Sequence, residues 1–312
     1  MAATEPATPS PTAAPANSME NPARFGLMLA LCAAFLFSTK PIIIKWLYEL
    51  GMTALPLMWL RMMLAMPVYV VVGWLAWKRL PLKLTALQLL KAAGTGLLGY
   101  WLASYLDLRG LEYVSAQLER LMLYAYPTLV IILGALFFGQ TFQRHHIVAL
   151  ILTYIGLILV YGQDLQFATD HIATTKGTLL ILASALSFSL YILFSKNAIG
   201  NMGSLLFTSI AMGSAALATM LHYGISYGVS LPEMDSTRWL GTIVLAIFAT
   251  VVPSFLVSEA IKRIGPAKTS VSGTIGPVAT TLMAIVFLGE PFGWLTAAGM
   301  ALVMLGVSRL QR

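Results

Sequence analysis

The sequence predicts an all-α integral membrane protein of ten transmembrane helices, arranged as two inverted five-helix repeats. Three observations carry this. The 312-residue chain is 58% hydrophobic and 10% charged, whereas soluble domains carry roughly 25% charged residues. Its apolar runs reach the ~20 residues a helix needs to cross a bilayer. It also repeats itself. At an offset of 150, YPTLVIILGALFFGQTF around Pro127 aligns with GPVATTLMAIVFLGEPF around Pro277.

The repeat runs well beyond that block. Gly139 pairs with Gly289, Leu152 with Leu302 and Gly156 with Gly306. Ser104 and Leu106 pair with Ser254 and Leu256, and at an offset of 151 AAFLFSTKPIIIK aligns with SALSFSLYILFSK. Five spans per copy is an odd number, so the second copy enters the membrane from the opposite side. The spans read as helices, because barrel strands would alternate apolar and polar residues over about 10 positions. The net charge of +7 is assigned to the positive-inside bias and not to a nucleic-acid partner.

In chain order, residues 1–23 are rich in Ala, Pro, Thr and Ser and read as a disordered tail with no signal-peptide pattern. The first repeat occupies 24–162 and the second 177–308. Spans are expected at 26–47, 55–77, 88–108, 114–136, 146–162, 177–195, 204–223, 240–261, 266–288 and 291–308, with the longest connections at 163–176 and 224–239. An N-in, C-in orientation places twelve Lys and Arg on the inner side and four on the outer, so both termini are expected in the cytoplasm of a cell whose inner (plasma) membrane holds the chain. The loop after span two carries Lys78, Arg79 and Lys83, whereas its counterpart carries Glu233, Asp235 and Arg238. Matching loops of opposite charge are what inversion predicts.

Charges inside spans need a reason, since each costs about 2.5–3.5 kcal/mol near the bilayer centre. Lys40, Arg61, Glu119 and Arg120 fall in one layer roughly 8–11 Å below the outer surface. Counted as three cations and one carboxylate, the layer suits an anionic group. Arg61 has a second reading as a side chain that snorkels to the headgroups, and Glu119 with Arg120 a second reading as a structural salt bridge. Lys40 precedes Pro41, which is expected to break its helix and set the cation at depth. Glu259, beside Lys262 and Arg263, reads as an interfacial ion pair.

Helical spacing puts Gln117, Arg120, Tyr124 and Pro127 on one face of span four, and Ser270, Thr274 and Pro277 on the matching face of span nine. Ser184, Ser187, Tyr191 and Ser195 share a face of span six, and Tyr100 lies at similar depth in span three. Pro41, Pro127, Pro253 and Pro277 mark spans one, four, eight and nine as irregular hinges lining a cavity, with spans three and six beside them. Cys32 has no partner for an intramolecular disulfide. His145-His146 reads as a solvated loop, and no nucleotide, metal or cofactor motif is present.

The two proline-to-glycine blocks, the repeat and the FSTKP stretch resemble the EamA family of the drug/metabolite transporter superfamily over about residues 24–310. Gln140 stands where the family's "LGE" pattern has an acid. The resemblance implies the ten-helix inverted fold, alternating access, and a cavity enclosed by helices one, three, four, six, eight and nine. The expected function is secondary transport, not catalysis, of a small organic metabolite. Export of an amino acid or related carboxylate-bearing compound is the first choice, and an anion exchanger for a phosphorylated metabolite or a broad-specificity drug exporter the alternative. Lys40 and Arg120 would attract the anionic group. Tyr100, Tyr124, Tyr191, Ser187, Ser270 and Thr274 would contact the rest, and Glu119 would carry any coupled proton. The partners expected are the substrate and the lipid bilayer. The sequence leaves monomer and homodimer both open.

Overall fold

The computed structural model describes residues 22–80, 84–228, 230, 232–273 and 275–310. The N-terminal tail expected at 1–23 falls outside them, apart from Pro22 and Ala23, which open the first helix. So does Lys83. Among the described residues the chain is helical, with no strand. The helices are α1 (Pro22–Glu49), α2 (Ala54–Lys78), α3 (Ala86–Gly96), α4 (Ala103–Leu111), α5 (Ala116–Leu123), α6 (Tyr126–Phe137), α7 (Arg144–Phe167), α8 (His171–Met202), α9 (Ser204–Tyr227), α10 (Ser236–Ala246), α11 (Val252–Ser272), α12 (Ile275–Leu288) and α13 (Trp294–Arg309). Seven helical stretches are long and apolar enough to cross a membrane, and α12 and α13 are shorter apolar helices. Side chains such as Phe137, Val286, Phe287, Ile158 and Leu221 stand more than 60% exposed, an apolar surface that suits lipid.

The irregularities have local causes. π-helical turns at Leu97–Leu102 and Ile247–Val251 join α3 to α4 and α10 to α11. In the second, Pro253 has no N–H to give and Thr250 Oγ1 donates to the Leu245 carbonyl at 2.9 Å. The first contains no proline, and sequence reasoning missed it. There Gly96 and Gly99 allow close packing: a Cβ on Gly99 would lie 2.3 Å from the Tyr191 ring. The helix breaks at Tyr124–Ala125 and again after Ser272, three residues before Pro127 and five before Pro277 in turn. Each proline lacks the N–H that would bond four residues back, to Leu123 or Gly273.

Two expectations change. Helix α1 runs through Pro41 without a break, because one proline removes a single ladder bond and the packed neighbours hold the rest of the helix. The connection expected at 163–176 is only Ala168–Asp170, since Asp170 caps α8 by accepting from Ile172 N and Ala173 N at 2.9 and 3.0 Å. The boundary expected between spans eight and nine is present as a kink within α11 at the non-helical Gly265, where φ is 80°, a left-handed angle glycine adopts without strain.

Packing interlocks the two halves. α1 lies against α11 and α12, α8 against α4 and α6, α2 against α9, and α7 against α13. The α7–α13 contact is glycine-lined: a Cβ on Gly156 would meet the Gly299 carbonyl at 2.5 Å, and one on Gly299 the Gly156 carbonyl at 2.6 Å. Small residues permit such backbone approach, which is how helices bind in lipid.

Candidate functional site

A cavity of about 100 Å³ lies at the centre of this packing. It is lined by Ala30, Ala34, Phe37 and Lys40 of α1, Arg61 and Met62 of α2, and Tyr100, Ser104 and Asp107 of the π turn and α4. Arg120, Tyr126, Ser184 and Phe188 close one side, and Thr250, Val257, Thr269, Ser270 and Gly273 the other. The walls therefore come from spans one, three, four, six, eight and nine, as expected, and also from span two.

Lys40 does not stand free. Its Nζ is bonded to Asp107 Oδ2, which is almost fully buried. Asp107 is the residue sequence reasoning overlooked. It sat near the expected end of span three, and its depth was legible only by extending that helix to Leu111. The charged layer thus holds two carboxylates against three cations, a lower net charge than expected.

Arg61 is 2% exposed and lines the cavity, so it does not snorkel to the headgroups. Its Nε and Nη2 find no hydrogen-bond partner among the described residues. Asp107, Tyr69 and Tyr48 act on it electrostatically. Glu119 is 1% exposed, and its Oε2 has no hydrogen-bond partner among the described residues. It makes no ion pair with Arg120. The Arg120 guanidinium instead donates through Nη2 to the Ala34 carbonyl at 3.3 Å and Ser38 Oγ at 3.4 Å, fixing α5 to α1, while its Nε has no partner among the described residues.

The remaining candidates divide. Tyr100 and Ser270 line the cavity. Tyr191 is fully buried, with its hydroxyl 2.8 Å from that of Tyr100, and Tyr124 reaches the Val271 carbonyl at 3.4 Å. Ser187 donates to the Leu98 carbonyl at 2.8 Å, which satisfies the looser backbone of the π turn. These three support the wall from behind. Thr274 lies outside the described residues. Tyr126 and Phe188, whose rings meet edge-on at 5.3 Å, line the cavity without having been singled out from the sequence.

Two other features differ from expectation or stand apart. His145 and His146 belong to the first turn of α7, where His146 Nδ1 accepts from Gln143 N at 3.1 Å, so they are a helix start and not a loop. Glu259 pairs with Arg263 at 2.8 Å and Lys262 at 3.8 Å, partly exposed. Among the described residues no cluster of His, Cys, Asp and Glu could hold a metal ion.

A bundle of apolar helices around a buried charged cavity defines a multi-pass membrane protein of transporter type. The chain belongs to the EamA-like transporter family, which it matches over residues 24–162 and 175–310. It is 28% identical over 278 residues to the uncharacterized transporter YcbK of Bacillus subtilis, covering 88% of each chain. It is 27% identical over 200 residues to a probable amino-acid metabolite efflux pump of Salmonella typhimurium, covering 62% of this chain and 66% of that one. A crystal structure superposes with a TM-score of 0.68 at 18% identity, over 91% of this chain and 95% of its own, which attests the fold.

Proposed function

We propose that the protein is a secondary transporter that exports an amino acid or related carboxylate-bearing metabolite across the plasma membrane by alternating access. The carrying observation is the central cavity with ionisable side chains from α1, α2, α4 and α5 gathered at depth. Charges there are costly and persist where they serve transport. At about 100 Å³ the cavity is smaller than the roughly 300–1,000 Å³ of typical small-molecule sites, so loading a metabolite requires the helices to move. Pro127, Pro253 and Pro277 stand beside helix breaks or π turns and supply the hinges, while Pro41 lies in an unbroken helix. Lys40, Arg120, Tyr100 and Ser270 face the substrate.

In this reading the chain has ten spans in two inverted repeats, 24–162 and 177–308, with both termini cytoplasmic. Matching irregularities support it: the two π turns, the two breaks before the paired prolines, and the packing of α2 on α9 and α7 on α13. The similarity to the Salmonella relative, a probable amino-acid metabolite efflux pump, favours an amino acid. The Asp107 carboxylate in the cavity wall disfavours a doubly charged phosphate.

The test is flux of a metabolite panel through proteoliposomes, with and without a pH gradient. Saturable movement of carboxylate-bearing compounds is expected, and a Lys40→Ala, Arg120→Ala double variant is expected to lose it. Wild-type flux of every substrate by that variant would overturn the site.

A further inference from the structure

We propose that Arg61 receives the substrate's carboxylate and that Asp107 receives its ammonium group, which makes the cavity a zwitterion site. This rests on the transporter reading and goes beyond it in naming which residues choose the substrate.

The geometry separates Arg61 from the other two cations. Lys40 is occupied by Asp107, and Arg120 Nη2 by α1. Arg61 alone faces the cavity with both Nε and Nη2 unpartnered among the described residues. Those two N–H groups lie along one edge of the guanidinium, the fork that binds a carboxylate through two parallel bonds. A buried donor left without a partner is costly. A pair of them on one edge of a buried side chain that lines a cavity suits a carboxylate acceptor.

Asp107 answers the other half of the ligand. It lines the cavity, and its Oδ1 receives no donor from the described residues, while Lys40 of α1 holds its other oxygen. An ammonium carries three donors and can give one to Oδ1, and no covalent bond forms. An anion without an ammonium would leave Asp107 Oδ1 without a donor, and an amine without a carboxylate would leave Arg61 unpaired. Only a molecule with both groups satisfies the site.

The experiment uses the full chain in proteoliposomes loaded with the twenty common amino acids, followed by phenylalanine, phenethylamine and 3-phenylpropionate. Wild type is expected to prefer phenylalanine over both analogues. Arg61→Gln and Arg61→Lys are expected to lower phenylalanine affinity by about tenfold or more, the value of a lost bidentate charge-assisted pair, while phenethylamine changes little. That spared amine also shows that the variants are folded. Unchanged phenylalanine affinity in both Arg61 variants overturns the assignment. Wild-type flux of 3-phenylpropionate without any amino acid overturns the zwitterion site and leaves the carboxylate transporter standing. Flux of no carboxylate-bearing compound at all removes both readings.

Discussion

The turn after α6 and the turn after α12 share a backbone. In each, a glycine takes a left-handed angle, φ 64° at Gly139 and 63° at Gly289, and the next N–H bonds back six residues, Gln140 to Gly134 at 3.0 Å and Glu290 to Ala284 at 3.2 Å. The side chains then part company. Gln140 folds over its own turn against Gly134. Glu290 reaches across to the first half and accepts from Ala116 N at 2.6 Å and Gln117 N at 3.1 Å, at the start of α5. It is the anion that a helix N-terminus favours. The same contrast holds in the cavity. Lys40, Asp107, Glu119 and Arg120 of the first half align with Tyr191, Val257, Thr269 and Ser270 of the second. A duplicated scaffold keeps its backbone irregularities, which motion needs, and differentiates its side chains, which choice of substrate and of closed face needs.

The largest effect should come from the ion pair that only the first half owns. Asp107 is nearly fully buried and Lys40 mostly so. Removing one partner strands the other, at about 3–5 kcal/mol. Lys40→Met or Asp107→Asn is therefore expected to lower the midpoint of thermal unfolding in detergent sharply and to abolish flux. The double variant Lys40→Met, Asp107→Leu should regain much of the stability while staying inactive. The second half instead carries the partly exposed pair of Glu259 with Arg263, just before the Gly265 kink of α11, and Arg263→Ala should cost less than about 1 kcal/mol. Equal costs at the two places would end the distinction between a buried functional pair and a surface one.

A smaller effect is expected from making the second turn resemble the first. Glu290→Gln keeps an acceptor but removes the charge, and should cost roughly 1–2 kcal/mol. The dependence on pH tells this apart from a general loss of packing. Burial raises the Glu290 carboxyl above its usual value, against the lowering pull of its two backbone bonds and of Lys45. A raised folded-state value means that its contribution to stability is full below the ordinary 4.5 and fades as pH rises through the raised value. The glutamine cannot titrate. Unfolding midpoints measured across pH should show the gap between wild type and variant narrowing as the medium turns from acid to neutral. A gap that widens instead would mean the anionic cap outweighs burial.

Much of this was legible in the sequence, for reasons that differ by feature. The paired prolines at 127 and 277 announced their breaks because a missing N–H acts locally. Pro41 misled, since whether one lost bond breaks a helix depends on neighbours that sequence does not display. The π turn at Leu97–Leu102 gave no sign, because its cause is the approach of Tyr191 and Ala211 to Gly99 and Gly96. Helical rise alone grouped Lys40, Arg61 and Arg120, which line one cavity. Which charges pair within it was not legible, as Lys40 meets Asp107 across 67 positions of sequence. Tyr191 and Ser187 read as ligand contacts from their helical face, yet that face packs against the π turn.

The smallest expected effect comes from the converse substitution, and it decides what the comparison means. Gln140→Glu restores the acid that stands in the second turn, on a backbone of the same shape. If the turn alone made the latch, the new carboxylate would seek a helix start in the other half and stabilise the protein. Gln140 instead lies over its own helix, with its Oε1 2.4 Å from where a Cβ on Gly134 would be. Among the described residues no backbone N–H of another helix is bonded to it. A glutamate there gains no cap and places a negative charge near the C-terminal end of α6, where the helix dipole opposes it. The unfolding midpoint should shift by an amount equivalent to less than about 0.5 kcal/mol, slightly downward. A clear rise would show that the face carrying Gln140 also closes on a carboxylate latch, and that the two copies differ in side chain without differing in function.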